Sequence, residues 1–249
     1  MSDGRIRHRQ GAVRIVDGVP YANRQSTLSL LPGAAVGRWL ASRETDLRGT
    51  LLDLGAGNQP FRSWYGSRVT RVVAVDVAPA AGLDVLTLAA PLPFRDAVFD
   101  TILCTSVLEH VDNPECAVDE MSRVLRPGGR LLITVPFLYP THEAPYDYWR
   151  TTHHGLASVL RRHGFLVDDL SAQGGPFLLM GHFGILGVVG ALRVLSRALG
   201  PLGRLFDNRL LAALIAAPQE LIRVRVSTRL SALSKAASLG YMAAARKPG

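Results

Sequence analysis

Short apolar runs that end in tight turns, alternating with amphipathic stretches, constrain this chain more than any other feature. Thr50-Leu51-Leu52-Asp53-Leu54 meets Gly55-Ala56-Gly57, which reads as a strand followed by a turn. Similar runs stand at 71–76 (Arg-Val-Val-Ala-Val-Asp), 99–104 (Phe-Asp-Thr-Ile-Leu-Cys) and 130–135 (Arg-Leu-Leu-Ile-Thr-Val). A helix is expected over 114–125, where Pro114 suits a first turn and Val118, Met121 and Leu125 share a face. Arg126-Pro127-Gly128-Gly129 should stop that helix and turn the chain into the next strand. Further helices are expected over 27–43, broken near Pro32-Gly33, and over 151–163. This alternation predicts a doubly wound α/β fold: a mainly parallel sheet with helices on both faces.

Composition narrows the class. Of 249 residues, 48% are apolar and 19% charged, which excludes a disordered chain. Cys104 and Cys116 cannot build a disulfide framework, and neither lies in a CxxC or Cys/His cluster that would hold zinc. A reducing cytoplasm is expected, and the segment Met1–Arg9 lacks the apolar stretch of a secretory signal. The net charge of +8 is unevenly placed: residues 1–175 hold 18 basic and 18 acidic side chains, residues 176–249 hold 10 and 2. Nucleic acid, an anionic membrane surface, an acidic substrate or plain solvated arginines would each suit that tail. Phe177–Leu192 carries no charge but is short for a membrane span and holds four glycines, so it reads as an apolar helix covered by the domain, by a second subunit or by a bilayer surface. A second helical stretch is expected at about 207–236.

The site signal begins at Gly55 and Gly57, which let backbone approach a ligand at a strand's carboxyl end. Asp76 follows 19 residues after Gly57, at the end of the next strand, where a carboxylate can accept both hydroxyls of a ribose. A dinucleotide site would need a third glycine, but position 60 is Pro, and no Gly-Lys-Ser/Thr marks a phosphate loop. A nucleoside without phosphate fits these residues.

Asp53-Leu54-Gly55-Ala56-Gly57 with Asp76, Pro91-Leu92-Pro93-Phe94-Arg95-Asp96-Ala97-Val98-Phe99-Asp100, Ser106-Val107-Leu108-Glu109-His110-Val111 and Arg126-Pro127-Gly128-Gly129 resemble class I S-adenosylmethionine-dependent methyltransferases of the small-molecule branch. The resemblance covers about residues 45–170. It implies seven strands near 50–54, 71–76, 83–86, 99–104, 130–135, 164–170 and 240–246, the last inserted antiparallel. It divides the chain into an N-terminal arm and helix (1–44), a cofactor-binding core (45–176), a helical insertion (177–239) serving as cap or homodimer surface, and a final strand (240–249). It implies that Gly55 and Gly57 pass the methionine part of S-adenosylmethionine, that Asp76 holds the ribose, and that Cys104, Thr105 and Ser106 border the sulfonium, with Asp53, Ala56, Asn58 and Val77 completing the set. Many relatives carry Asp where Leu88 stands, so adenine would be met by backbone around Leu88 and Ala89. Some related O-methyltransferases bind a divalent ion through Glu-x-x-Glu-His. Ser106 occupies the first of those positions, so no metal is expected, and Glu109 and His110 are expected to start a helix and orient neighbours.

The catalytic candidates lie in Pro136–Arg150, where three prolines forbid a continuous helix and imidazole, carboxylate, phenol and indole groups crowd together. His142 is the candidate base for deprotonating an acceptor hydroxyl, with Glu143 or Asp147 as orienter or substitute. The other reading is a structural loop in which Asp147 pairs with Arg150 and His142 is a bystander. His110, Tyr146, Tyr148, Trp149 and Arg150 are candidate acceptor contacts, the aromatic rings suiting a sugar. The segment is similar to one in methyltransferases of bacterial glycan clusters, the methylmannose polysaccharide group among them. Three functions stay open: a sugar or oligosaccharide O-methyltransferase, an O-methyltransferase of a lipid, quinone or polyketide-like hydroxyl with peripheral membrane contact, and an inactive cofactor-binding scaffold. No nucleic-acid partner is expected, because no Asn/Asp-Pro-Pro-Tyr/Phe signature or aromatic-studded basic stripe is present.

Overall fold

The structure, a computed structural model, describes residues 14–16, 19–21, 30–198 and 231–249. Two short strands, β1 (Arg14–Val16) and β2 (Val19–Tyr21), pair antiparallel apart from the main sheet. The rest runs α1 (Leu30–Ala41), β3 (Thr50–Leu54), α2 (Arg62–Tyr65), β4 (Arg71–Asp76), β5 (Val85–Leu86), β6 (Phe99–Thr105), α3 (Pro114–Val124), β7 (Leu125–Pro136), α4 (His153–Arg162), β8 (Leu166–Ala172), α5 (Pro176–Ala198), α6 (Ser231–Ala236) and β9 (Gly240–Arg246). The seven-stranded sheet has the order β5-β4-β3-β6-β7-β9-β8. Strands β5 to β7 are mutually parallel, and β9 lies antiparallel between β7 and β8. The expected doubly wound sheet, with its last strand inserted antiparallel over 240–246, is the observed one.

Side-chain alternation splits the core into two layers. Leu52, Leu54, Ile102, Cys104, Leu131, Ile133 and Ala243 face α3 and α4, meeting Val118, Met121, Leu156 and Leu160. Leu51, Leu103, Leu132 and Met242 face the opposite way, onto Val36, Trp39 and Leu40 of α1 and Phe61, Trp64 and Tyr65 around α2. Both faces of the sheet are therefore sealed, as a parallel sheet requires. Asn113 caps α3 by accepting from the Cys116 N–H, and Thr152 caps α4 by accepting from the Gly155 N–H.

Several boundaries differ from expectation for identifiable reasons. α1 runs unbroken through Pro32-Gly33 because Pro32 falls in its first turn, where a missing N–H costs no helical bond. β5 is only Val85–Leu86: just before it, the Asp84 side chain accepts the Ala74 N–H at 2.8 Å and so replaces a ladder carbonyl. β7 starts at Leu125 and absorbs the expected 126–129 turn, because Lys247 accepts the Gly128 N–H at 2.9 Å and donates its own N–H to Gly129 at 3.0 Å. That partner comes from the far end of the chain. β6 extends to Thr105, β8 is Leu166–Ala172, and α4 is His153–Arg162. Glu109 and His110 do not start a helix; they sit in a single 3-10 turn, Leu108–His110.

The charge-free stretch expected to be an apolar helix is α5, and among the described residues no helix is long and apolar enough to cross a membrane. His182 and Val189 turn inward, while Phe177, Met180, Phe183 and Val188 are exposed. Of the helical stretch expected at 207–236, residues 207–230 lie outside the described residues, as does the segment 1–13.

Gly55 carries a φ of +68°, and a Cβ there would stand 2.2 Å from Cγ2 of Val107. Gly55→Ala is expected to lower stability by about 2 kcal/mol or more, combining left-handed strain with the clash. Urea denaturation checks it.

Candidate functional site

The strand order reverses at β3, whose neighbours β4 and β6 lead away in opposite directions, so the crevice at its carboxyl end is a natural ligand position. There the Ala56 N–H is donated to the Val75 carbonyl at 2.9 Å and the Gly57 N–H to Asp76 Oδ2 at 2.8 Å. Ala78 donates its N–H to the other Asp76 oxygen at 2.9 Å. Two backbone donors thus hold the Asp76 carboxylate at the strand end. Gly57 has φ +49°, and a Cβ built on it meets nothing within 4 Å, so the space above the turn is open. Beside it the Asn58 amide nitrogen is buried with no partner. Just past the ends of β4 and β5, Val77 and Leu88 are 66% and 60% exposed, two apolar side chains on a rim that the sheet does not cover.

Other expected cofactor residues sit differently. Asp53 is buried behind the turn, where it accepts the Tyr65 hydroxyl; burial raises its carboxyl to about 6 against the opposing hydrogen bond. Ala56 is buried too. Cys104 is fully buried in the α3/α4 core layer, so its thiol cannot border a ligand, and burial pushes that thiol well up. The strand's end separates it from its neighbours: Thr105 is half-buried, and Ser106, exposed just past β6, takes φ +53° while donating its N–H to the Thr134 carbonyl at 3.0 Å.

The loop after β7 folds back over the same edge. His142 donates its backbone N–H to Asp147 Oδ2 at 2.9 Å, and its Nδ1 lies 3.3 Å from the Pro140 carbonyl and 3.4 Å from Asp147. Arg150 forks onto both oxygens of Asp147. Partial burial of Asp147 is overcome by that guanidinium and by the His142 N–H, which hold its carboxyl at about 2. Burial lowers His142 against the pull of Asp147, leaving a neutral imidazole at neutral pH. His110 packs edge-on to His142, with ring centroids 4.9 Å apart, and its Nδ1 meets the Tyr146 carbonyl at 2.7 Å.

Behind both rings lies Glu109, fully buried, with neither carboxylate oxygen hydrogen-bonded. Its Oε1 is 3.9 Å from Nε2 of His142 and 3.9 Å from Nε2 of His110. Burial raises its carboxyl to about 8. Tyr139 sets its ring edge-on to His142 and stacks on His182 of α5, which is buried and shifted down by that burial.

Some loop assignments need correction. Glu143 is not the partner of His142: its exposed carboxylate is 3.8 Å from Nε2 of His110, and Asp147 alone of the two abuts His142. Arg150 is committed to Asp147, as the structural reading of the loop supposed, and Trp149 packs against the main core, so neither presents a free group to an acceptor. Tyr146 and Tyr148 are exposed beside the cluster. Reasoning from sequence overlooked Tyr139 and His182 as neighbours of His142, and it dismissed Glu109 by looking for a third ligand only at position 106. The available signal was a carboxylate, two adjacent histidine-bearing segments and a proline-rich loop long enough to return.

Comparison with known proteins now bears on this geometry. Residues 52–133 match a family described as a methyltransferase domain. An uncharacterized methyltransferase of Mycobacterium marinum is 32% identical over 142 residues, which cover 51% of this chain and 56% of that protein. The chain thus matches about half the length of that curated relative. Among solved structures, the [4+2]-cyclase SpnF aligns with TM-score 0.57 and 21% identity over 92% of this chain and 85% of its own. A Burkholderia thailandensis 1,6-didemethyltoxoflavin-N1-methyltransferase, bound to its acceptor and S-adenosylhomocysteine, aligns with TM-score 0.52 and 20% identity over 87% of this chain and 79% of its own. The fold is that of class I methyltransferases. A cyclase and a methyltransferase share it, so the reaction must be argued from the site.

Asp53 supplies a check on the turn. An unfolded chain ionises this carboxyl near 3.9, the folded one only near 6, so this residue lowers stability progressively as pH rises from about 4 to 6, by up to about 3 kcal/mol. Asp53→Asn keeps an acceptor for Tyr65 and should remove that loss. Urea unfolding of both proteins across this pH range should show the difference growing in favour of the variant.

Proposed function

We propose that this protein is an S-adenosylmethionine-dependent methyltransferase that methylates a hydroxyl of a small polar acceptor, a sugar or oligosaccharide being the class that fits. The observation that carries this reading is the Asp76 carboxylate, fixed by two backbone N–H groups beside the open Gly57 turn. The residues fit the cofactor: Asp76 would take the ribose hydroxyls, the unpartnered Asn58 amide and the open turn would take the methionine part, and Val77 and Leu88 would flank the adenine. When bound, the sulfonium supplies an electrophilic methyl group.

The chain's own residues would then prepare the acceptor. An alcohol is a poor nucleophile until it loses its proton, and the S–CH3 bond breaks as the O–CH3 bond forms. Nε2 of His142 is the proton acceptor, because its Nδ1 side is occupied by Pro140 and Asp147, and Asp147, pinned by Arg150, sets the ring plane. The exposed Tyr146 and Tyr148 rings offer apolar faces with hydroxyl edges, which suits a sugar ring. A second reading, an amphiphilic alcohol as acceptor, draws on the exposed Phe177, Met180, Phe183 and Val188 of α5. Turnover of glycosides but not of lipid alcohols separates the two.

Two variants test the assignment. Asp76→Ala is expected to weaken S-adenosylmethionine binding by about 1.5–3 kcal/mol, the range for hydrogen bonds to a charged group, and calorimetry reads it. His142→Ala is expected to bind the cofactor normally while turnover falls by roughly 10²–10⁴-fold. Turnover within a few-fold of the parent would make His142 a bystander.

A further inference from the structure

The cluster behind the loop is chemically incomplete. His110 directs Nδ1 at the Tyr146 carbonyl, 2.7 Å away, and His142 directs Nδ1 at the Pro140 carbonyl, 3.3 Å away. Both carbonyls can only accept, so an imidazole carrying a single N–H there places it on Nδ1 and leaves Nε2 a lone pair. Each Nε2 stands 3.9 Å from Oε1 of Glu109, too far for a hydrogen bond. Glu109 itself is fully buried and neither oxygen has a partner. Three atoms able to ligate a cation, all within 4.8 Å of one another, therefore converge with no hydrogen bond among them. A buried polar group left this way costs free energy unless something positive occupies the gap.

We propose that Glu109, His110 and His142 form a binding site for one divalent first-row cation, such as zinc. Two imidazoles and one carboxylate are the ligand set that such ions take, with positions left open for other ligands. The surroundings match as well: each Nδ1 is held by a carbonyl, with Asp147 beside His142, the arrangement that fixes the tautomer and orientation of a metal-bound histidine. The His110 and His142 side chains remain 20% and 30% exposed, so an ion can enter from the loop side. Ser106 does not disqualify the site, because the ligand it fails to supply comes from His142 in the returning loop.

Only the ion's use rests on the methyl-transfer reading. A bound ion would take Nε2 of His142 as a ligand and would supply Lewis-acid charge beside an acceptor hydroxyl, whose proton would then be lost to solvent. Without the ion, Nε2 takes that proton itself.

The test is a titration of the chelator-treated full chain with Zn2+ by calorimetry and with Co2+ by visible absorption. One ion per chain is expected. Glu109→Gln, His110→Ala and His142→Ala should each weaken binding more than about 100-fold, beyond the 10- to 100-fold typical when a residue that only orients a ligand is lost, and Asp147→Asn should fall within that lesser range. His163→Ala, just past α4 where His163 pairs with Glu115 and Asp119, should change nothing. Circular dichroism confirms folding, and should Glu109→Gln fail to fold, the two half-exposed histidines carry the test. Absence of saturable uptake, or uptake unchanged in the histidine variants, overturns the proposal. Cofactor binding and turnover without ion uptake would sink this inference alone; ion uptake without cofactor binding would sink the methyl-transfer reading alone.

Discussion

A parallel sheet sealed on both faces leaves only its strand ends for chemistry, and everything functional in this molecule follows from that constraint. Val118, Met121, Leu156 and Leu160 close one face, and Val36, Trp39, Trp64 and Tyr65 close the other. Leu52 and Leu54 point to one layer while Leu51 points to the other, so the strand has no side chain to spare until it reaches the Gly55–Gly57 turn. The Asp76 carboxylate then binds the turn to the neighbouring strand end through the Gly57 N–H. The same carboxylate that holds the turn accepts only one N–H on each oxygen and so keeps further lone pairs.

The antiparallel strand β9 has a comparable double duty. It pairs with β7 from Arg130↔Arg246 to Pro136↔Gly240 and with β8 on its other side. Its buried Ala243, Ala244 and Ala245 fit between the two helical layers. Where this ladder ends, Phe137 donates its N–H to the Leu239 carbonyl at 2.8 Å, and Leu138 donates to Ser238 at 3.3 Å. The C-terminal strand therefore sets the direction in which the loop after β7 leaves the sheet. Asp147 and Arg150 take over from there, and the Tyr148 N–H, donated to the Glu109 carbonyl at 2.7 Å, ties the loop back to the turn after β6.

Within that enclosure the electrostatics oppose stability. Glu109 and Asp53 are both buried carboxyls, yet only Asp53 has a donor, the Tyr65 hydroxyl. Asp147 is the converse, a carboxylate fully committed to a guanidinium and a backbone N–H. A fold that pairs one acid so thoroughly and leaves another with bare oxygens against two imidazoles is spending stability at that place, and such unsatisfied groups gather where ligands bind.

Local chemistry made the sheet and the cofactor end readable. Short apolar runs ending in tight turns depend on nearest neighbours along the chain, so 50–54 and 71–76 were legible to the residue, and the family resemblance placed the last strand at 240–246. Turn residues misled where a distant segment supplied hydrogen bonds, as Lys247 does for Gly128 and Gly129. Nor could spacing reveal that Cys104 faces the core or that Trp149 belongs to it, since one step of alternation or one turn of loop decides each. The meeting of Glu109, His110 and His142, with Tyr139 and His182 behind them, required the chain to leave the sheet, fold back under the constraint of β9 and Asp147–Arg150, and lie against α5. Contacts between residues so far apart in sequence are set by packing rather than by any local preference. The amino-acid sequence by itself determined the fold and the place of the Gly55–Gly57 turn and Asp76 at its strand ends; the tertiary structure alone decided which side chains stand across from them.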